Sequence, residues 1–235
     1  MGTIVNAIAI VVATMIGMVF KQGLPERLKK AIMFMMGLAL ASMSLGWFIR
    51  DFLVFGPDGF ETRYDLLIII SLVLGTIIGE ILNIDGGLRK FADGVEKKYN
   101  LPPVAKGFIS GTLIFCVGAM AILGSIQDGL TGDMTTLLFK SVLDFITAMM
   151  LASVFGIGVA FAAISVLVYQ GLITIGAMLA GQFLTLEMIT AIGMVGNIIL
   201  VAMGINFMEL KEVKVANMLP ALIIPVVYFA FLGFF

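Results

Sequence analysis

The chain has 235 residues, of which 61% are apolar and 12% are charged, and its mean hydropathy is +1.15. A soluble domain is about half apolar and about a quarter charged, so this chain has too little polar surface to coat a globule in water. The absence of histidine and the single cysteine exclude Ser-His-Asp and Cys-His catalysis, histidine-ligated metal sites and an internal disulfide. A net charge of −1 offers no basic surface for nucleic acid. We therefore expect an integral membrane protein that is not an enzyme and has no cofactor.

Eight apolar segments predict an all-α, polytopic transmembrane helix bundle, because each is close to the roughly 20 residues that one membrane-spanning helix needs. Lipid cannot satisfy the backbone of an open sheet edge, and the segments are too long for the strands of a membrane barrel. We expect one transmembrane domain over residues 1–235, with spans at 3–20, 31–49, 66–84, 107–126, 135–155, 157–181, 187–207 and 216–235.

Lysine and arginine residues are unevenly divided between the two sides of the membrane that eight crossings define. Eleven of the 14 fall on the side that receives loops 21–30, 85–106 and 208–215. The positive-inside rule makes that side cytoplasmic and places both termini outside. The count favours eight full crossings, since a re-entrant segment would move Lys211 and Lys214 to the outside.

The longest polar stretch, residues 85–106, joins the third and fourth spans. Leu88, Phe91 and Val95 recur there at helical spacing, with basic residues beside them. A basic amphipathic segment of this kind lies along lipid headgroups. The alternative is an ordinary connector that is basic because it is cytoplasmic.

Residues 1–84 and 107–181 share short motifs in the same order. Gly2-Thr3 corresponds to Gly111-Thr112, Lys30 to Lys140, and Ala41-Ser42 to Ala152-Ser153. Three spans separate the two copies, so a true duplication would give inverted three-helix repeats, closed by two further helices at 187–235. Many secondary transporters are built in this way. Chance similarity among glycine- and alanine-rich helices is the alternative.

The fourth span contains glycine at several positions and ends at Gln127-Asp128. Repeated glycine permits close helix packing, and it also permits a break in the helix that presents backbone groups to a solute. Both interpretations stay open. The candidate backbone or gating positions are Gly118, Gly124 and Gly129, with Glu80 at the cytoplasmic end of the third span.

The strongest single feature is the pair Lys140 and Asp144 in the fifth span. Their i, i+4 spacing puts both side chains on one helical face, and Asp144 lies near the middle of the segment. An unpaired charge at that depth costs about 2.5–3.5 kcal/mol on insertion scales, so the pair must face protein or water. Asp144 is predicted to bind a cation or carry a proton, or Lys140 to hold an anionic group. A purely structural ion pair is the alternative.

Further polar residues are candidates to line the same site. They are Gln127, Asp128, Gln170 and Asn197, and Asn6, Thr14 and Cys116 also lie within spans. Oxygen donors of this kind suit hard cations or hydrogen-bonded organic solutes, and no metal is identified. Each amide taken alone is as readily explained as a hydrogen bond between helices.

Four motifs, GTIVNAIAI, LIFCVGAMAILGSIQDGLTGD, KSVLDF and NMLPAL, give the chain a resemblance to a known family over nearly its whole length. The chain resembles the YqgA-like family of bacterial polytopic inner-membrane proteins. The resemblance implies the inner membrane of a bacterium but no agreed substrate. Ala119 stands where members of the family often carry proline, which puts a fixed proline kink in doubt.

We interpret the sequence as a secondary-active transporter of a small solute or ion, with its site around Lys140 and Asp144. A proton or cation gradient is the expected energy source, because the chain has no nucleotide-binding motif. A passive channel and a non-transporting membrane scaffold are the alternatives. The expected partners are the lipid bilayer, the solute and, since 27 glycines allow close helix contacts, a second copy of the chain.

Overall fold

The computed structural model describes residues 1–21, 25–56, 59–87, 90, 94, 97, 104–116, 119–180 and 185–232. The α-helices are α1 (Gly2–Lys21), α2 (Glu26–Phe52), α3 (Asp65–Leu82), α4 (Ala105–Cys116), α5 (Ala119–Thr131), α6 (Thr135–Phe155), α7 (Gly158–Ala180), α8 (Leu186–Phe207) and α9 (Ile223–Leu232). A 3-10 helix, Val215–Leu222, precedes α9. The prediction of an all-α bundle is confirmed.

Among the residues that the structure describes, six helices are long and apolar enough to cross a membrane, namely α1, α2, α3, α6, α7 and α8. The pair α4 and α5 forms a seventh span if its two bent halves are taken together. The predicted eighth span, 216–235, differs from the other seven. It begins as the 3-10 helix and continues as the ten-residue α9. Pro220 lies inside the 3-10 helix, and proline lacks the N–H that a continuous α-helix would use.

The faces of α3 show how the sequence distinguishes lipid from protein. Most of its large aliphatic residues, including Leu66 and Ile81, are exposed, whereas Ser71, Gly75 and Gly79 are buried. The buried residues follow each other at i, i+4 spacing and let the 3-10 helix approach closely, so a methyl group on Gly79 would collide with the backbone of Asn217. This helix therefore packs through its small residues and presents its bulky residues to the bilayer.

The chain divides into two compact units. The first contains residues 1–33 and 86–182, and the second contains residues 34–85 and 183–235. In the first unit α1 lies against α6 and α7, while α4 and α5 pack on α7. In the second unit α3 packs on the 3-10 helix, and α8 contacts the 3-10 helix and α9. The inverted repeats stay a prediction.

A short antiparallel hairpin joins α2 to α3 in the second unit. Strands β1 (Leu53–Gly56) and β2 (Gly59–Thr62) pair with Phe55 opposite Phe60, whose rings meet edge to face at 5.1 Å. These strands are not among the predicted elements, because four residues are too few for a clear alternation of polar and apolar positions. The Gly-Pro-Asp-Gly run over 56–59 is the local signal for a turn.

Most of the predicted amphipathic connector lies outside the described residues. Leu88, Phe91 and Val95 all fall there, and the described chain resumes at Val104. Its interpretation as a headgroup-binding segment stays a prediction.

Candidate functional site

The fourth predicted span is broken into two helices. Helices α4 and α5 are inclined to each other by 74°. Gly118, one of the predicted backbone positions, lies outside the described residues, between the two helices. The bend occurs in a chain that has Ala119 rather than proline, so a proline is not required for it.

Ala119→Pro is expected to change the free energy of unfolding by no more than about 0.5 kcal/mol, since Ala119 is the first described residue of α5 and proline is well accommodated at the beginning of a helix. Ala121→Pro, inside the same helix, is expected to cost about 3 kcal/mol. Thermal unfolding of both variants in detergent micelles would measure the difference. Equal losses would show that the α5 helix does not begin at the break.

The two halves of the broken span run along the length of α7. Gly107 of α4 lies against Gly158 and Val159, and Gly129 of α5 lies against Thr174. These contacts are about 15 residues apart on α7, or ~23 Å at 1.5 Å per residue. Helices of 12 and 13 residues bent by 74° also have an end-to-end distance of ~30 Å, which matches the hydrocarbon core. A pair bent in this way is either a broken span or a re-entrant loop, and the spread of its contacts along α7 favours the broken span.

Lys140 and Asp144 form a buried ion pair on α6. Their residues are 5% and 6% exposed, and the Lys140 ammonium donates to Oδ2 of Asp144. The same oxygen accepts a hydrogen bond of 2.9 Å from Nδ2 of Asn6 on α1. Asp144 is the tenth of the 21 residues of α6, so the pair lies near the middle of that helix. A neutral amide and an ammonium group thus share one carboxylate oxygen deep in the first unit.

Asp128 holds the beginning of α1. Its Oδ2 accepts hydrogen bonds from the N-terminal ammonium of Met1 at 2.8 Å and from the backbone N–H of Gly2 at 3.0 Å. The first N–H groups of a helix have no partner within the helix and carry a partial positive charge, which a carboxylate satisfies. The C-terminal end of α5 and the start of α1 therefore lie at the same end of the unit.

A line of polar side chains runs along α6 between that end of the unit and the ion pair. Oε1 of Gln127 accepts a hydrogen bond of 2.6 Å from the hydroxyl of Thr136, which begins the i, i+4 series Thr136, Lys140 and Asp144 on α6. Just outside the helix, hydrogen bonds from Thr135 lower the pKa of the exposed Asp133. The line leads from an exposed loop inward over about two helical turns.

Gln170 lies on the buried face of α7. It is fully buried, and neither its amide nitrogen nor its amide oxygen has a hydrogen-bond partner among the described residues. Thr174, one turn further along, is also buried with an unpartnered hydroxyl. Cys116, at the end of α4, is buried as well, and both α4 and α5 contact α6 and α7. The span that contains the break therefore packs on the helix of the ion pair and on the helix of Gln170.

Gly124 and Gly129 are the two predicted backbone positions that the structure describes within α5. A methyl group on Gly124 would lie 2.9 Å from Leu137 of α6, and one on Gly129 would lie 2.5 Å from the carbonyl oxygen of Thr174. Both glycines occupy close contacts between helices, as expected for small residues in a membrane bundle.

The remaining two predicted site residues belong to the second unit. Asn197 is buried at 2% exposure in the middle of α8. Glu80, at the end of α3, is exposed and pairs with Lys214 at 3.3 Å. Asn197 and Glu80 therefore belong to a different unit from Lys140 and Asp144.

A groove of about 460 Å³ lies between α1 and α7 in the first unit. Its lining is apolar, with Ile8, Val11 and Phe161 as examples, and it contains neither Lys140 nor Asp144. Because lipid chains are equally apolar, this groove belongs to the lipid-facing surface rather than to a polar site.

Three contributors to the cluster were not among the predicted site residues. The sequence marks Asn6 only as a polar residue within a span, and Thr136 and Thr174 are outside the predicted set. The spacing carries a signal for the two threonines, since Thr136 precedes Lys140 by four residues and Thr174 follows Gln170 by four. No comparable signal joins Asn6 to Asp144, which are 138 residues apart. Within the described residues, no group of three or more acidic or cysteine side chains could hold a metal ion.

The apolar bundle and its internal ion pair define a multi-pass membrane protein. Residues 1–230 match the model of a family described as protein of unknown function DUF554, and the chain belongs to that family. It is 33% identical over 224 residues to the Bacillus subtilis (strain 168) protein named "Uncharacterized membrane protein YdfK", covering 95% of this chain and 93% of that one. It is 32% identical over 233 residues to the Escherichia coli (strain K12) protein named "Uncharacterized protein YqgA", with the same coverage. The predicted family resemblance is confirmed. No solved structure matches the chain.

Proposed function

We propose that this protein is a secondary-active transporter of a small solute or ion in a bacterial inner membrane. The observation that carries the proposal is the buried Lys140–Asp144 pair beside the break between α4 and α5. Ionisable groups within a membrane are costly and mark substrate or ion pathways in many membrane proteins. Transporter sites are commonly formed by discontinuous helices near the bilayer midplane. Both features occur together in the first unit.

Asp144 is the group that we assign to the coupling ion or proton, and Lys140 is its counter-ion. Asp144 uses one oxygen for both of its hydrogen bonds, so protonation of the carboxyl group would weaken its attraction to Lys140 without removing the bond from Asn6. Gln127 and Asp128 lie on the polar line between the pair and the end of the unit. This line is the route by which we expect the site to communicate with the outside.

A non-transporting scaffold is the second candidate, because the pair is occluded in this conformation. In a scaffold the ion pair would stay closed, and its role would be to fix the rotation of α6 within the bundle. Gln170 favours the transporter. A scaffold has no use for a buried amide that lacks a partner among the described residues, whereas a binding site requires such groups.

We further propose that the chain crosses the membrane four times between Gly2 and Asp128. Helices α1, α2 and α3 are each long enough to cross, so α4 begins on the side opposite to Gly2. The hydrogen bond between Gly2 and Asp128 then requires that the broken pair crosses as well. A re-entrant α4–α5 pair would leave these two residues on opposite sides. With the basic loops inside, Gly2 and Asp128 face the outside.

Labelling of single cysteines is expected to show this orientation. Replacement of Cys116 with alanine removes the one native cysteine, and Asp133→Cys or Lys211→Cys then adds one at an exposed position. A membrane-impermeant maleimide will label Asp133→Cys in intact cells, and Lys211→Cys only after permeabilisation. The reverse pattern would invert the orientation, and labelling of both in intact cells would contradict the number of crossings.

Transport itself is tested with the purified protein in proteoliposomes that contain a pH-sensitive dye. Gradients of NaCl, KCl or L-serine are imposed in turn, and wild-type protein is expected to couple proton movement to at least one of them. Asp144→Asn is expected to reduce that movement to the rate of liposomes without protein. The matched control is Asp65→Asn at the start of α3, which removes an exposed carboxylate and is expected to leave the rate unchanged.

Three outcomes would contradict the proposal. An unchanged rate in Asp144→Asn would remove Asp144 from the mechanism. Unitary currents in a planar bilayer would identify a channel, since a carrier turns over too slowly to produce them. No response to any of the gradients would favour the scaffold.

A further inference from the structure

Four buried side chains of the first unit carry polar atoms without a hydrogen-bond partner among the described residues. They are Thr3 and Asn6 on α1, and Gln170 and Thr174 on α7. Gln170 leaves both ends of its amide unpartnered, Asn6 leaves its oxygen, and the two threonines leave their hydroxyl groups. Buried polar atoms are nearly always satisfied in native proteins, and the exceptions call for an explanation. A cluster of exceptions on two neighbouring helices points to a ligand.

The four side chains lie at similar depth in the unit. Gly129, next to the Asp128 that holds Gly2, contacts Thr174, so the start of α1 and the last turns of α7 are at the same end. The tight turn at Gly156 makes α6 and α7 antiparallel. Gln170 lies 14 residues after this turn, and Asp144 and Lys140 lie 12 and 16 residues before it. The unpartnered amide is therefore level with the ion pair.

The two charges beside Gln170 balance each other, because Lys140 pairs with Asp144. Among the described residues of the first unit, the third buried charged side chain is Asp128, which pairs with the Met1 ammonium at the exposed start of α1. A solute with a net charge would bring an uncompensated charge into this interior, which is strongly unfavourable. A solute without net charge meets no such cost. Lys140 has further N–H donors, and Asp144 has a second carboxylate oxygen. None of these atoms makes a hydrogen bond within the described residues.

We propose that Gln170, Thr174, Thr3 and Asn6 form a hydrogen-bonding subsite beside Lys140 and Asp144 for a small solute that has no net charge but carries both donors and acceptors. Zwitterionic amino acids and simple carboxamides belong to this class. The proposal rests on the transport function and defines its substrate class. The subsite supplies an amide donor, amide oxygens and hydroxyl groups, and the ion pair supplies one charge of each sign.

The first test needs no ligand, because it asks whether Gln170 has a partner in the protein. If its amide is unpartnered, Gln170→Leu removes a buried unsatisfied group and raises the melting temperature of the protein without solute. The matched control is Gln127→Leu, which breaks the hydrogen bond from Thr136 and lowers the melting temperature. A fall for Gln170→Leu as large as that for Gln127→Leu would show that Gln170 is a structural link between helices, and the subsite would be wrong.

The second test determines the substrate class by thermal shift of the full chain in detergent. The four probes are L-serine, which is zwitterionic, lactamide, which is uncharged, serinamide, which is cationic, and N-acetylserine, which is anionic. L-Serine or lactamide is expected to raise the melting temperature of wild-type protein, and Gln170→Leu combined with Thr174→Val is expected to weaken the apparent affinity by about tenfold or more. A shift with only the charged probes, or with none of the four, would overturn the proposed class.

Failure of this inference and failure of the transport function give different results. If flux in proteoliposomes depends on Asp144 but Gln170→Leu is destabilised, the function stands and the subsite is wrong. If L-serine or lactamide binds through Gln170 but no flux is observed, the subsite stands and the protein is a binding protein of the membrane rather than a carrier.

Discussion

Asp144→Asn is expected to lower the free energy of unfolding by about 3–5 kcal/mol, and adding Lys140→Met is expected to recover most of that loss without restoring flux. The single substitution leaves the Lys140 ammonium buried without its counter-ion. The double substitution removes both charges and keeps side chains of similar size. Replacement of a buried ion pair by neutral residues is often neutral or stabilising, whereas removal of one partner is costly.

The cycle separates a structural role of the pair from a functional one. Stability is measured by unfolding in mixed detergent micelles, and flux is measured in proteoliposomes at equal protein content. A purely structural pair predicts that the double variant regains both stability and flux. A transport role predicts stable protein without flux, because Asp144 has lost the group that binds a proton or cation. Flux in the double variant would therefore exclude the proposed site.

Gly129→Val is expected to lower the free energy of unfolding by about 3 kcal/mol, which is at the upper end of the range for overpacked positions. A side chain at this position collides with the backbone carbonyl of Thr174, which cannot rotate away as a flexible side chain does. Helix α5 must then move away from α7. The broken span would lose its contact at the end where Asp128 binds the start of α1.

The matched control for this substitution is Gly176→Ala on α7. A methyl group at Gly176 meets no atom within 4 Å, and alanine favours a helix more than glycine does by about 0.5–1 kcal/mol. The melting temperature is expected to fall in Gly129→Val and to rise in Gly176→Ala. A loss of stability in Gly176→Ala equal to that in Gly129→Val would show that glycine serves helix flexibility along α7 rather than the contact with α5.

Local sequence patterns were sufficient to predict most of the helices. The segment 135–155 coincides with α6, and 187–207 with α8 to within one residue, because about 20 apolar residues in a membrane have few other ways to satisfy their backbone. The last segment was less predictable. Pro220 interrupts it, and the tight packing of the 3-10 helix on Gly75 and Gly79 is a property of two distant parts of the chain.

Spacing along one helix also identified the central pair. Lys140 and Asp144 are four residues apart, and the helical repeat fixes such neighbours before any tertiary contact forms. Position within the segment then placed Asp144 near mid-helix. The glycine content of the fourth span indicated either close packing or a break, and the structure shows a bend between α4 and α5 and a close contact at Gly129.

The composition by itself determined that this is a membrane protein, and helical spacing determined which charges are neighbours on α6. Only the tertiary structure decided that Asn6 donates to Asp144, that Asp128 binds the start of α1, and that Gln170 has no partner among the described residues. These contacts join residues far apart in the chain, across helix faces of similar glycine, alanine and leucine content. Several pairings of such faces satisfy the same pattern, so the choice among them depends on how side chains of particular size fit together.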